Sequence, residues 1–182
     1  ISWNARGLKI DKSSKRQELQ NLINSSDSPI DIVCIQETHF TEKDVPPKIT
    51  GFQMPINKVR THDQYSKGGG VCIYIREGLQ YKKKVIKNTS PIEVIAVNIY
   101  GISENITIYN CYANKPEVNT INNYKEIFQN LDHNTIIVGD FNLEHICWNP
   151  ENDFRCNSEA DLLLTFLDDS NLNYLNNVKP QE

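Results

Sequence analysis

The tetrapeptide Gly139–Asn142, with the sequence Gly-Asp-Phe-Asn, combines residue types that could do chemistry. It follows the apolar run Ile136–Val138, so Asp140 and Asn142 are predicted to stand at the end of a buried strand. Residues two apart on an extended backbone point to the same side. A carboxylate accepts a proton from water or binds a divalent metal, and a carboxamide orients that water or donates to a phosphoryl oxygen. The pair therefore suits hydrolysis of a phosphate ester, although Gly-Asp-x-Asn is also typical of an ordinary turn after a strand.

Three other predicted strands end in polar residues of the same kind: Asn4, Glu37 and Tyr112. The carboxyl ends of neighbouring strands in a layered α/β protein meet at one rim, so we expect these side chains to converge with Asp140. Oxygen ligands of this type suit Mg²⁺, which is usually held by one or two carboxylates plus substrate phosphate. Taken singly, Asn4 could be a turn residue, Glu37 a surface acid, and Tyr112 a core ring with a solvated hydroxyl.

Hydrophobic periodicity predicts the elements that must position these groups. The predicted strands are residues 1–4, 31–35, 71–75, 92–100, 106–112 and 135–138, and the predicted helices are residues 12–25, residues 122–131 and one capped by Ser158. The short connection at residues 101–105 predicts an antiparallel hairpin. Helical crossovers together with hairpins predict either a mixed sheet or two sheets packed face to face with helices outside.

Length and composition predict a single globular domain over residues 1–182. The chain opens inside a predicted strand without an initiating Met, so we interpret it as a piece cut from a longer protein. No run approaches the roughly 18 apolar residues that span a bilayer, and no membrane partner is expected. The net charge of −4 argues against binding nucleic acid through charge alone, but not against an enzyme that engages DNA briefly.

The five cysteines are an odd number without the spacing of a zinc site. Cys34, Cys72 and Cys111 lie inside apolar strand-like runs, where a thiol behaves as a small hydrophobe. We therefore expect free thiols and a reducing compartment, nuclear or cytosolic.

Basic residues fall into two clusters, which we interpret as solvated loops rather than phosphate contacts. The first cluster is Lys82, Lys83, Lys84 and Lys87, and the second is Lys58, Arg60 and Lys67.

Three segments, in this order, resemble the successive signatures of the endonuclease/exonuclease/phosphatase superfamily: residues 1–8, 33–38 and 137–142. Residues 36–39, followed by 67–74, are typical of the endonuclease domains of non-LTR retrotransposons, as is the stretch from Asn142 through Trp148 to residues 172–176. The resemblance implies a four-layered α/β sandwich of the DNase I-like type. It also implies a nuclear enzyme with a cytoplasmic stage that uses Mg²⁺, or Mn²⁺, to nick target DNA so that an attached reverse transcriptase can prime.

The resemblance further implies a role for each strand-end residue. Glu37 would be the principal metal ligand, with Asn4 beside it. Asp140 would activate or orient the attacking water, Asn142 would position the water and the scissile phosphate, and Tyr112 would hydrogen-bond the phosphate. The carboxylate of Asp140 would thus activate or orient the incoming water, while Mg²⁺ would neutralise charge on the phosphorus oxygens.

The sequence departs from the superfamily pattern at three places. Arg6 stands where apurinic endonucleases carry an acid, which weakens an interpretation as a dedicated abasic-site repair enzyme. The Tyr-x-Pro-Asn segment is altered, so either Asn114 or Lys115 takes the role of its asparagine, and we expect these two and Arg6 to contact phosphate or DNA. The Ser-Asp-His motif that supplies the catalytic His is absent and is expected beyond Glu182. The domain would then lack C-terminal strands and be incomplete at its N-terminus as well, and this chain would be weakly active or inactive.

Two alternatives stay open at this point. The chain could be another phosphoesterase of the same fold, such as a phosphoinositide phosphatase or a sphingomyelinase, because function depends on the site and loops rather than on the fold. It could also be an inactive copy that serves only as a binding module. His39 follows Glu37 closely enough to reach the rim, but we interpret it as a loop histidine.

Overall fold

The computed structural model describes residues 1–8, 13–60, 68–101, 104–114, 120–148 and 157–175. The chain forms two compact units. The first comprises Ile1–Ile86, Ile92–Tyr112 and Leu131–Asp140, and the second comprises Lys87–Pro91, Ala113–Asn130 and Phe141–Glu182. Within the described ranges, no helix has the length and apolar character needed to cross a bilayer.

The first unit contains one helix and two four-stranded sheets in its described residues. The sheets have the strand orders β1-β2-β4-β3 and β5-β6-β7-β8. The pairs β1/β2 and β7/β8 are parallel, and the remaining pairs are antiparallel. The elements are β1 Ser2–Asn4, α1 Ser13–Asn24, β2 Ile32–Gln36, β3 Ile56–Lys58, β4 Val71–Ile75, β5 Gln80–Lys84, β6 Glu93–Tyr100, β7 Ile106–Tyr112 and β8 Thr135–Asp140.

The two sheets pack face to face, which decides between the two predicted arrangements. Val71 and Ile73 of β4 share a buried cluster with Val97 of β6 and Ile108 of β7. The alternate residues of β4, including Tyr74, belong to a second cluster with Leu19 of α1. Because successive side chains of a strand point to opposite faces, one sheet is covered by α1 on one side and by the other sheet on the other. The result is the mixed α/β architecture predicted for the chain.

A buried polar chain links the two sheets beneath their carboxyl ends. Asn110 of β7 is completely buried and donates through Nδ2 to the carbonyls of Ile35 at 3.0 Å and Cys72 at 2.9 Å. Gln36 donates through Nε2 to Asn110 Oδ1 at 2.6 Å and to Ser2 Oγ at 3.1 Å. Buried polar groups are costly unless they are satisfied, so these bonds favour one alignment of the sheets over others.

The second unit contains α2, Ile121–Phe128, and α3, Ser158–Asp169, which pack against each other. The α2 helix begins with a capping box in which the backbone N–H of Thr120 donates to Asn123 Oδ1 at 2.8 Å. The helix buries Tyr124, Ile127 and Phe128. This amphipathic pattern is the one that predicted a helix here from the sequence.

The structure corrects several local predictions. Two strands were not predicted: β3, which has only three residues, and β5, whose Lys82, Lys83 and Lys84 were interpreted as a loop. The N-cap of α3 is Asn157 rather than Ser158. On α3, Leu162 is 49% exposed, whereas Ala160 and Leu163 are buried.

Candidate active site

Four of the predicted side chains converge at one rim of the first unit: Asn4, Glu37, Tyr112 and Asp140. We call this group the rim site. Asn4 donates through Nδ2 to Glu37 Oε1 at 2.8 Å and to Asp140 Oδ2 at 2.6 Å. Tyr112 also hydrogen-bonds Glu37. The strand pairing explains the convergence, because Asn4 lies opposite Gln36 in one parallel pair and Tyr112 lies opposite Asp140 in the other.

The backbone turns sharply at Glu37. Its φ of +52° is in the left-handed region, which a residue other than Gly occupies only when its surroundings hold it there. The carbonyl of Glu37 accepts from the N–H of Gly7 at 2.7 Å, and the N–H of Thr38 donates to the carbonyl of Gly70 at 3.1 Å. The turn is therefore fixed from both flanks, and it directs the carboxylate of Glu37 to the rim.

Gly139 allows β8 to lie tightly against β7. A Cβ at this position would collide with the carbonyl oxygen of Cys111, so no other residue fits without a shift of backbone. The tight pairing keeps Asp140 in register with Tyr112. The glycine of the Gly-Asp-Phe-Asn motif thus serves the placement of the acid that follows it.

Hydrogen bonds hold Glu37 in its ionised form. Burial opposes ionisation, but hydrogen bonds from Asn4, Tyr112 and His39 outweigh it and lower the pKa of Glu37. Burial and the neighbouring Glu37 charge raise the pKa of Tyr112, so its hydroxyl keeps its proton and is a donor at neutral pH. The rim site therefore combines an ionised acid with a neutral phenol.

His39 lies in a loop, as interpreted from the sequence, and its side chain reaches the rim. Its Nε2 lies 3.3 Å from Glu37 Oε2. The backbone N–H of His39 donates to the carbonyl of Gly69 at 2.7 Å, which continues the pairing of β2 with the β4 side of the sheet. His39, like Glu37, has a positive φ, and the two turns bring both side chains to the same side.

The remaining predicted residues are not among the four that define the rim site. The backbone N–H of Arg6 donates to Asn4 Oδ1 at 3.1 Å, and Arg6 is exposed. Asn142 belongs to the second unit and donates through Nδ2 to the carbonyl of Ala113 at 2.7 Å. Asn114 also belongs to the second unit and is partly exposed, and Lys115 lies outside the described residues.

Two functional candidates were missed in the sequence, Arg60 and Glu93. They form an ion pair with 2.5 Å between Arg60 Nε and Glu93 Oε1, and both side chains are 8% exposed. The interpretation of Arg60 as a solvated loop residue is therefore wrong. Lys58, which was also interpreted as a solvated loop residue, instead lies in β3, and burial lowers its pKa. A signal was present in the sequence, since Glu93 is a charged residue that opens the apolar strand β6.

The rim site has the donor chemistry of a hard-cation site. The described residues contain no group of three or more His, Cys, Asp or Glu placed to hold a metal ion. Mg²⁺ needs no such group, because it is usually bound by one or two carboxylates and keeps several waters. The rim site offers the two carboxylates, Glu37 and Asp140, and the amide of Asn4. The amide nitrogen of Asn4 lies between the carboxylates of Glu37 and Asp140, and its hydrogen bonds to both offset their mutual repulsion.

A rim of two carboxylates, an amide and a phenol on two packed sheets has the chemical groups that hydrolysis of a phosphate ester needs. The profile of the Endonuclease/Exonuclease/phosphatase family matches residues 1–173. The chain belongs to this family.

Solved structures show the same fold in proteins with different activities. The endonuclease domain of TRAS1, a telomere-specific non-LTR retrotransposon, is 15% identical with a TM-score of 0.59, over 92% of this chain and 68% of that one. The 3'-5' exonuclease NExo from Neisseria meningitidis is 20% identical with a TM-score of 0.63, over 92% and 69%. The mannosyl-6-phosphatase Bt3783 from Bacteroides thetaiotaomicron is 13% identical with a TM-score of 0.54, over 91% and 69%. Since an endonuclease, an exonuclease and a phosphatase share the fold, the fold does not select among these activities.

Proposed function

We propose that this chain is the metal-dependent endonuclease domain of a non-LTR retrotransposon, which nicks target DNA to prime an attached reverse transcriptase. The observation that carries the hydrolytic part is the convergence of Asn4, Glu37, Tyr112 and Asp140, joined by hydrogen bonds as short as 2.6 Å. The choice of the retrotransposon branch is supported by residues 36–39 and the glycines at 68–70.

The rim residues divide the chemistry among them. Bound by Glu37 with Asn4, Mg²⁺ or Mn²⁺ would neutralise charge on the phosphate oxygens. Asp140 orients the attacking water and accepts its proton, and Tyr112 donates to a phosphoryl oxygen. Asn142 follows Asp140 by two residues and positions the scissile phosphate.

Contacts to the DNA backbone are assigned to Arg6, Asn114 and Lys115. The exposed Arg6 is held beside Asn4 through its backbone and presents a cation next to the rim site. With a net charge of −4, the affinity of the chain for DNA is expected to be modest and to fall as salt rises.

The test is Mg²⁺-dependent nicking of supercoiled plasmid, with Glu37→Ala and Asp140→Asn as the decisive variants. Loss of the Asp140 base is expected to lower the rate about 10²- to 10⁴-fold, and loss of Glu37 is expected to abolish nicking. Glu77→Ala, an exposed acid at the far end of β4, is the matched control and should leave nicking unchanged. Wild-type rates in either decisive variant would remove that residue from the mechanism.

The assay is run on the 182-residue chain and on a version extended C-terminally along its parent sequence. The sequence contains no Ser-Asp-His triplet, so we expect the extended version to carry the activity. Phosphate release from a phosphomonoester or phosphoinositide without nicking would instead support the phosphatase alternative. Retained DNA binding without hydrolysis by either version would support an inactive binding module.

A further inference from the structure

The buried ion pair of Arg60 and Glu93 lies next to the rim site. Glu93 uses both carboxylate oxygens, because Oε1 accepts from Arg60 Nε at 2.5 Å and Oε2 accepts from the backbone N–H of Gly70. A charge-assisted bond with both side chains 8% exposed leaves the guanidinium little freedom. Arg60 is therefore fixed in place, unlike a lysine or arginine that moves in solvent.

Arg60 in turn contacts Tyr112. Its guanidinium carbon lies 5.6 Å from the centre of the Tyr112 ring, and it hydrogen-bonds the Tyr112 hydroxyl. The same hydroxyl hydrogen-bonds Glu37. A guanidinium can only donate, so the hydroxyl oxygen accepts from Arg60 and its proton is directed to the Glu37 carboxylate. The order of donors runs from Arg60 through Tyr112 to Glu37.

We infer that Arg60, held by Glu93, is a positioning residue that fixes the Tyr112 hydroxyl as a hydrogen-bond donor toward the rim site. Because its oxygen accepts from Arg60, the hydroxyl directs its own proton away from Arg60 and toward the rim site. The identity of the acceptor during turnover, a phosphoryl oxygen, rests on the proposed function. The direction of the hydroxyl does not depend on the proposed function.

The glycine segment at residues 68–70 makes room for this arrangement. A Cβ at Gly69 would collide with the Arg60 guanidinium, and a Cβ at Gly70 would collide with Thr38 Oγ1. Both glycines also have positive φ, of +66° and +86°. The glycines therefore allow Arg60 to reach Tyr112 and let the Gly70 N–H reach Glu93.

A purely structural ion pair would stabilise the fold without acting on Tyr112, so the test must observe Tyr112 itself. The protein is labelled with ¹³Cζ-tyrosine, and the Tyr112 signal is assigned by its loss in Tyr112→Phe. We expect the signal to shift in Arg60→Met and in Glu93→Gln, and to shift less in Arg60→Lys, which keeps the charge. Arg60→Lys also covers the case in which Arg60→Met fails to fold.

Arg76→Met is the matched control. Arg76 lies just beyond the opposite end of β4, pairs with Asp31 at 2.8 Å and lies over the Phe52 ring at 5.8 Å, so it repeats the Arg–acid–ring arrangement away from the rim site. It should leave the Tyr112 signal unmoved. An unmoved Tyr112 signal in folded Arg60→Met or Arg60→Lys would overturn the inference.

The kinetic arm is a double-mutant comparison in the actively nicking protein. Arg60→Lys is expected to lower kcat about tenfold with little change in KM, and to have almost no further effect in a Tyr112→Phe background. Equal effects in both backgrounds would show that Arg60 does not act through Tyr112 and would overturn the inference. If no version of the protein nicks DNA, the proposed function fails, and the ¹³C experiment still decides the role of Arg60.

Discussion

Asn4 and Asp140 are 136 positions apart in the chain, yet Asn4 Nδ2 donates to Asp140 Oδ2 at 2.6 Å. The same nitrogen donates to Glu37 Oε1 at 2.8 Å. Two carboxylates placed close together repel each other, and an amide donor shared by both offsets that repulsion. Asn4 therefore links the two acids of the rim site through one amide nitrogen.

Asn4→Ala should raise the pKa of Glu37, because a hydrogen bond that stabilises the charged form is lost. Because the pKa of Glu37 is lower in the folded protein, its ionised carboxylate stabilises the fold at pH values above its ordinary pKa of 4.5. This stabilisation is lost as the pH falls through the folded-state pKa. The difference in the free energy of unfolding between wild type and Asn4→Ala should therefore become smaller as the pH falls. Carboxyl ¹³C titration and denaturant unfolding at several pH values measure both effects, with the exposed Asn21→Ala as control. An unchanged Glu37 pKa would contradict the role given to Asn4.

Gly139→Ala should destabilise the fold far more than Gly78→Ala. Both glycines have positive φ, but a Cβ at Gly78 meets nothing within 4 Å, whereas one at Gly139 meets the Cys111 backbone. We expect a loss of about 1 kcal/mol in the free energy of unfolding for Gly78→Ala and about 3 kcal/mol for Gly139→Ala. Urea denaturation gives both values. Equal losses would show that β8 can move away from β7 at little cost.

Asn110→Ala should cost about 3 kcal/mol in the free energy of unfolding, because it leaves the carbonyls of Ile35 and Cys72 and the amide of Gln36 without their buried partner. Asn21→Ala, on the exposed face of α1, should stay within about 0.5 kcal/mol of wild type. A small effect of Asn110→Ala would mean that water replaces the lost bonds.

The thiols of Cys34, Cys72 and Cys111 should be unreactive in the native protein. All three are buried, and burial raises the pKa of Cys34 to about 12 and raises those of the other two as well. A Cys147→Ser/Cys156→Ser variant should therefore show no reaction with a thiol reagent at neutral pH until denaturant is added. Rapid native reaction would indicate that the strands open readily.

The strands with apolar runs were predictable from the sequence, and β4 and β7 have the predicted bounds. The β5 strand was not predictable from the sequence. It is an edge strand, and its three consecutive lysines give it no apolar run. Its backbone pairs with β6, and Lys84 bonds to Asp132 at 2.7 Å. Such pairing depends on the neighbouring strand rather than on local apolar character.

The rim site was predictable because strand ends in an α/β fold share a rim, so residue type and position sufficed for Asn4, Glu37, Tyr112 and Asp140. Glu93 stands out in the sequence as a charge at the start of an apolar strand, but its partner Arg60 was not predictable, because Arg60 lies 33 positions away in the sequence. The N-cap position of α3 was assigned to Ser158 because Ser158 is as good a cap as Asn157 in sequence terms. In the structure the Asn157 side chain accepts from the backbone N–H of Glu144 at 2.7 Å and makes no cap bond.

The parallel pairing of β7 with β8 also sets a time order during protein synthesis. The strands that carry Asn4 and Glu37 leave the ribosome early, whereas β8 cannot pair until residue 140 has emerged. At about 5–20 residues per second, Asp140 follows Glu37 by about 5–20 s. From the emergence of residue 112 until that of residue 140, the sheet β5-β6-β7 ends in an unpaired edge at β7, which is open to wrong strand pairing.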